Sequence, residues 1–279
     1  ASPLLLRQGA ESLAGRLAVY ELGGFDLDEV GRGAVSRRWL RGGFPRSFLA
    51  EAEAHSVEWR REFIETFLGR DLPQLGITVA PMTLRRFWTM LAHAHGQVAN
   101  LSQLGRSLGV ADTTVRRYLD ILVSTFVVRQ LLPWWENLKK RQVKAPKIYL
   151  SDSGLLHTLL GIETPDELEG HPKLGASFEG FALEMITRAH ALRPEECFFW
   201  ATHAGAEIDL LVVRGDRRIG FEFKRTAAPK VSRSMRVALS DLRLQRLMVV
   251  HAGTTSFPLA PKIDAIPLAD VGDLDLGLR

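Results

Sequence analysis

Between Cys197 and Ala252 the chain holds four short apolar runs in quick succession: CFFWATH, AEIDLLVVR, RIGFEFKR and LMVVHA. Runs of this length, rich in β-branched and aromatic residues, read as strands rather than helices. The short turn RGDRR joins the second and third into a hairpin. SRSMRVALSDLRLQ, before the fourth, reads as a helix, as does SFEGFALEMITRAHAL ahead of all four. Helix, three strands, helix and strand bury their apolar surface as mixed layers, so the fold class is α/β (α+β).

The whole chain has 279 residues, room for two compact domains or one large one. Hydrophobic residues make up 46% and charged residues 24%, the balance of an ordinary globular protein rather than a disordered one. No run of about 18 uncharged apolar residues occurs, so no membrane span is expected, and the first residues lack a signal-peptide pattern. The single cysteine, Cys197, excludes an internal disulfide framework and a multi-cysteine zinc site, and fits a reducing, cytoplasmic setting. Net charge is +4 and the pI is near 9.4. That balance permits nucleic-acid contact without requiring it.

Upstream of the strands, two further segments are legible. Residues 1–81 contain LAVYEL, a short apolar strand ended by Gly23 and Gly24, followed by helical sequence. In EWRREFIETFLGRDL the residues Trp59, Phe63, Ile64, Phe67 and Leu68 recur at helical spacing and predict a buried stripe. A lone strand has no partner here, so the chain is expected to start inside a domain whose front part lies elsewhere.

Residues 82–161 begin with the helix TLRRFWTMLAHAHG, its Leu84, Phe87, Trp88 and Leu91 turned inward. Leu101, Leu104 and Leu108 make a short second helix, Gly109 a tight turn, and Asp112 or Thr113 a cap for a third. Val115, Leu119 and Leu122 face inward on that third helix, leaving Thr114, Arg116, Arg117 and Asp120 outward. This is a helix-turn-helix. FVVRQLLPW, NLKKRQVKAPK and KIYLSD then suggest a β-ribbon with a basic turn, completing a winged-helix arrangement. Thr113, Thr114, Arg116 and Arg117, with Lys139, Lys140, Arg141, Lys144 and Lys147 of the ribbon, are the candidate nucleic-acid contacts. Winged helices also serve as protein-contact modules, and both readings stand. Residues 162–279 open with the Pro- and Gly-rich TPDELEGHPKLG and hold the strands described above.

Chemistry concentrates in those strands. Alternation places Phe221 and Phe223 on one face of their strand and Glu222 and Lys224 on the other. Glu207 and Asp209 alternate with Ile208 and Leu210 in the same way, and the hairpin can set Asp209 beside Glu222. Such an acid pair suits Mg²⁺, or Mn²⁺ in its place, because these ions take a few carboxylates and retain waters. Lys224 would orient an attacking water or stabilise charge on a phosphate. Glu179, polar among apolar neighbours in SFEGFALEM, is a candidate supporting group. The competing reading of Glu222 and Lys224 is a solvated strand face. His93 and His95 share no helical face and make a poor metal pair. Cys197 reads as a core residue, and no G-x-S-x-G signals acyl transfer.

Glu179 on a helix, Asp209 on a strand and Glu222-x-Lys224 on the next resemble the PD-(D/E)xK, restriction-endonuclease-like nucleases. The resemblance covers roughly Phe178 to Ala252. It implies a central mixed sheet, catalytic roles for Asp209, Glu222, Lys224 and Glu179, and Mg²⁺ held by Asp209 and Glu222 for phosphodiester hydrolysis. Over the whole chain, GRLAVYELG, GGFPRSFLA, FLGRDLPQL, KIYLSDSGLLHTLLG, FEGF, EIDLLVV and FEFK occur in that order. This order resembles prokaryotic AAA-type ATPases with a C-terminal domain of unassigned function. No G-x-x-x-x-G-K-[ST] is present, so ATP is expected to bind only with a separate N-terminal half. The resemblance makes residues 1–81 the remnant of an ATPase module with its helical lid, and Arg16 and Arg70 candidates for a trans-acting arginine. The expected partners are DNA, that ATPase half and further copies of the chain.

Overall fold

The computed structural model describes residues 22–136 and 142–277. LAVYEL up to Glu21, Arg16 and the basic turn residues Lys139, Lys140 and Arg141 lie outside them. The N-terminal part is helical: α1 (Leu27–Val30), α2 (Val35–Arg41), α3 (Pro45–Phe48), α4 (Glu53–Thr66) and α5 (Leu72–Gln74). A π-helical turn, Phe67–Asp71, links the last two. Then come α6 (Pro81–His93), β1 (Gln97–Val98), α7 (Leu101–Leu108), α8 (Asp112–Ser124), β2 (Val128–Pro133) and β3 (Lys147–Leu150). After α9 (Ser153–Leu160) and α10 (Pro165–Glu169), the long α11 (Leu174–Ala189) leads into β4 (Cys197–Ala201), β5 (Glu207–Arg214) and β6 (Arg217–Lys224). The chain closes with α12 (Arg233–Asp241), β7 (Arg246–His251), β8 (Phe257–Ala260) and β9 (Ile263–Pro267).

The expected stripe on α4 turns one notch. Ile64, Phe67 and Leu68 are buried, but Trp59 and Phe63 are half-buried and Arg60 goes inside. The Arg60 guanidinium donates to the carbonyls of Leu40 and Gly154, so a charged residue ties α4 to α2 and α9. Leu84, Phe87, Trp88 and Leu91 of α6 are fully buried as the spacing predicts, as is Val115 of α8. Gly109 ends α7 at φ +72, the left-handed region that glycine enters without cost. Asp112 and Thr113 do not cap α8. Its N-cap is Ala111, and Asp112 instead accepts a hydrogen bond from the Ser102 hydroxyl.

Among the described residues the strands form one nine-stranded mixed sheet in the order β1-β3-β2-β4-β5-β6-β7-β9-β8. The ribbon after α8 is therefore no free-standing wing. β2 runs parallel to β4, pairing Leu132 with Phe198 and Pro133 with Phe199. Beyond it, the Trp134 N–H donates to the Phe199 carbonyl and the Val143 N–H to the Ala201 carbonyl. The sequence boundaries at 81 and 161 mark changes in local structure, not gaps between cores: Trp39, Leu131, Tyr149, Phe181 and Phe221 share one cluster. Ile64, Trp88, Leu119, Ile148 and Leu155 share a second, between the helices and the ribbon. The third lies under α12. No helix of the described residues is long and apolar enough to cross a membrane.

Candidate functional site

β5 and β6 form the expected hairpin, turning at Gly215 with φ +62. Leu210 stands opposite Phe221, where the regular pairing ends. β5 bulges there, Asp209 and Leu210 together facing Phe199 of β4, and Asp209 meets β6 through its side chain, on the Phe223 N–H. The bulge overturns the expected common face of Ile208 and Leu210: Leu210, Phe221 and Phe223 enter the α11-side core, while Ile208 enters the α12-side core together with Leu211. The polar positions sit where the hairpin meets the ribbon and the first turns of α11.

The site is a chain of charges. Lys224 Nζ lies 2.7 Å from Glu222 Oε1. Glu222 Oε2 is buried with no hydrogen-bond partner. Asp209 accepts the Phe223 N–H at 3.0 Å on Oδ2. On Oδ1 it faces Lys147 Nζ at 3.5 Å. That ammonium is 3.0 Å from Glu179 Oε1, and the Tyr149 hydroxyl donates to the same oxygen at 2.5 Å. The side chains of Glu222, Lys147 and Asp209 are 5%, 8% and 9% exposed, whereas Lys224 is 41% exposed and marks the open end.

Three largely buried carboxylates thus stand with two ammonium groups, Lys147 between Glu179 and Asp209 and Lys224 on Glu222. Burial, then the Asp209 charge, pushes the Glu222 carboxyl up to about 8, with Lys224 offsetting part of the rise. The same two causes push Glu179 up to about 7 against the pull of Lys147 and Tyr149. Burial works against the Lys147 ammonium, but Glu179 and Asp209 outweigh it and hold its pKa above the ordinary lysine value. An excess of buried negative charge is what a divalent cation would relieve. Asp209 and Glu222 fit Mg²⁺ in donor chemistry, the bare Glu222 Oε2 being an acceptor in want of a partner. Among the described residues no trio of His, Cys, Asp or Glu is placed to hold a metal, so the ion would rest on this pair and on water.

Lys147 is not on the surface of the ribbon, where the basic-turn reading puts it; it is buried in the carboxylate site. Tyr149 belongs to the site although no motif points to it. Both are legible from the alternation in KIYL. Ile148 and Leu150 enter the helical core, so Lys147 and Tyr149 point the other way, toward α11. Gly180 in FEGF makes room for this arrangement. A Cβ there would stand 2.2 Å from His95 Nε2, and the His95 ring packs edge-on to Tyr149 with centroids 5.3 Å apart. His95 is no ligand: its Nδ1 accepts the Leu150 N–H, and burial pushes its pKa down to about 3. Cys197 is buried, its thiol pushed up to about 11 by burial.

The other candidates lie apart from this site. Thr113, Arg116 and Arg117 are exposed on α8 and Thr114 is half-buried. Lys144 is exposed, its ammonium 5.2 Å from the centre of the Trp135 ring. Arg70 is exposed and ion-paired with Asp71 at 3.0 Å.

Residues 32–166 match the family model of a domain of unknown function, DUF8612. Residues 174–271 match DUF4143, also a domain of unknown function. The site straddles the two, with Lys147 and Tyr149 in the first match and Glu179, Asp209, Glu222 and Lys224 in the second. The chain is 52% identical over 267 residues to the uncharacterized protein Rv2008c of Mycobacterium tuberculosis and to the uncharacterized protein Mb2031c of Mycobacterium bovis. Each alignment covers 96% of this chain and 60% of the relative, so the chain spans about three fifths of their length. No solved structure matches the chain.

Proposed function

We propose that the chain is the DNA-contacting part of a longer AAA-type ATPase family protein and carries a Mg²⁺-dependent phosphodiesterase site of the PD-(D/E)xK kind. The observation that carries this reading is Asp209 held on β6 by the N–H of Phe223, the residue after Glu222, in a buried, acid-rich site with Lys224 on Glu222 and one Glu222 oxygen bare. Asp209 and Glu222 would hold the ion, which when bound supplies Lewis-acid polarisation of a phosphate oxygen. Lys224, at the open end, is placed to hold a water or to meet phosphate charge. Glu179 anchors the far side through Lys147 and Tyr149. The exposed Arg116 and Arg117 on α8, a helix following a glycine turn, suit contact with a DNA backbone or groove. ATP would enter through the part of the longer protein that precedes this chain.

The test is a plasmid and branched-DNA cleavage assay in Mg²⁺ with an EDTA control, run on wild type and on Glu222→Gln. Cleavage that needs Mg²⁺ and disappears in the variant is expected; equal cleavage by the variant, or none by either protein with or without its ATPase part, removes the catalytic claim.

A second reading is favoured by Lys147. Its ammonium already bridges Glu179 and Asp209, as in a site kept as a clasp within a non-catalytic platform for DNA or protein partners.

A further inference from the structure

Lys147 reaches the carboxylates from the other side of the molecule. Its strand is held between β1 and β2, with Val98 and Leu131 as its pairing partners. That ribbon belongs to the helix-turn-helix unit, whose core holds Ile148 and Leu150. Glu179, Asp209 and Glu222 belong to α11 and the β5–β6 hairpin. Between the two units, β2 meets β4 over the short seam of Leu132 with Phe198 and Pro133 with Phe199.

The oxygens of the acid pair are unequally occupied. Asp209 gives Oδ2 to the Phe223 N–H and Oδ1 to Lys147. Glu222 gives Oε1 to Lys224 and keeps Oε2 free. A cation entering between the two would find an acceptor on Glu222 and, on Asp209, an ammonium already in place.

We propose that Lys147 is a latch on this site: its ammonium stands in for a cation at Asp209, and a divalent ion binds only when Lys147 is displaced. The inference rests on the metal-site reading above and adds the regulation of that site. The latch is carried on β3, in the unit that also bears Arg116 and Arg117. The ribbon is fixed in the core that Leu131 and Tyr149 share with Phe181 and Phe221, so the latch opens by a swing of the Lys147 side chain, drawn by a cation that binds the open arrangement more tightly than the closed one. Tyr149 keeps Glu179 supplied with a donor when the ammonium leaves.

The experiment measures Mn²⁺ binding by electron paramagnetic resonance on the whole chain for wild type, Lys147→Met and the double variant Lys147→Met with Glu179→Gln. The double variant removes one positive and one negative group, so the site's net charge is unchanged and a general electrostatic gain is excluded. It also spares Glu179 an unpaired charge and leaves only Asp209, still held by the Phe223 N–H, without its ammonium. At least tenfold tighter Mn²⁺ binding in both variants than in wild type is expected. Equal affinity in wild type and the double variant overturns the latch and leaves the metal site standing. No binding to any of the three at millimolar Mn²⁺ overturns both, in favour of the clasp.

Discussion

Replacing Lys147 by methionine keeps most of the side chain's apolar stem and removes the one cation shared by Glu179 and Asp209. Removing one partner from a buried ion pair costs about 3–5 kcal/mol, because the other charge is left uncompensated. Here the loss has an escape. The Glu179 carboxyl is already pushed up to about 7, and without Lys147 it rises further and takes a proton. The full cost should therefore appear near pH 8 and shrink toward pH 5.5, where a neutral Glu179 bonded to Tyr149 needs no cation. Urea melts at the two pH values give the difference. Adding Glu179→Gln to Lys147→Met should recover about 2 kcal/mol or more at pH 8, the coupling expected of residues in direct contact. A loss below about 1 kcal/mol that is flat with pH, or strictly additive variants, would refute the claim that these charges form one buried unit.

Four further outcomes follow from the same geometry. Glu222 and Glu179, raised to about 8 and about 7, bind more protons folded than unfolded. Stability should therefore fall as pH rises through that range, by up to roughly 1 kcal/mol per pH unit. The buried His95 and His157, lowered to about 3 and about 4, act oppositely below about pH 6.5, so the clean window is pH 6.5–8; a slope unaltered by Glu222→Gln would contradict this. Gly180→Ala should destabilise by about 1–3 kcal/mol, since its Cβ meets the His95 ring at 2.2 Å and that ring is fixed by the Leu150 N–H; an unchanged thermal melt would count against that packing. Arg60→Met should lower the urea midpoint by removing its hydrogen bonds to the Leu40 and Gly154 carbonyls, which keep the His157 ring and the Thr158 hydroxyl as partners, at about 0.5–1.5 kcal/mol for each bond lost. Replacing Arg116 and Arg117 together by alanine should weaken DNA binding and reduce the salt slope by about 1 for each phosphate no longer neutralised, read by fluorescence anisotropy at several salt concentrations; an unchanged slope would assign α8 to protein contact.

The sequence alone determined the local elements that rest on periodicity. The hairpin of β5 and β6, the inward faces of α6 and α8 and the turn at Gly109 all follow from spacings within a few residues. Adjacent strands translate such spacings directly into adjacency in space. What joins distant segments was decided by tertiary structure. That the ribbon continues into the same sheet as β4 depends on a parallel pairing across more than sixty residues of chain (Leu132 to Phe198), which no local pattern encodes. The role of Lys147 was settled in the same way. In sequence the alternation in KIYL sets it on one strand face with Tyr149, but only the docking of β3 against α11 makes it the counter-ion of two buried carboxylates. A charged side chain takes its function from the field it ends up in, and that field is assembled from parts of the chain that do not see each other until it folds.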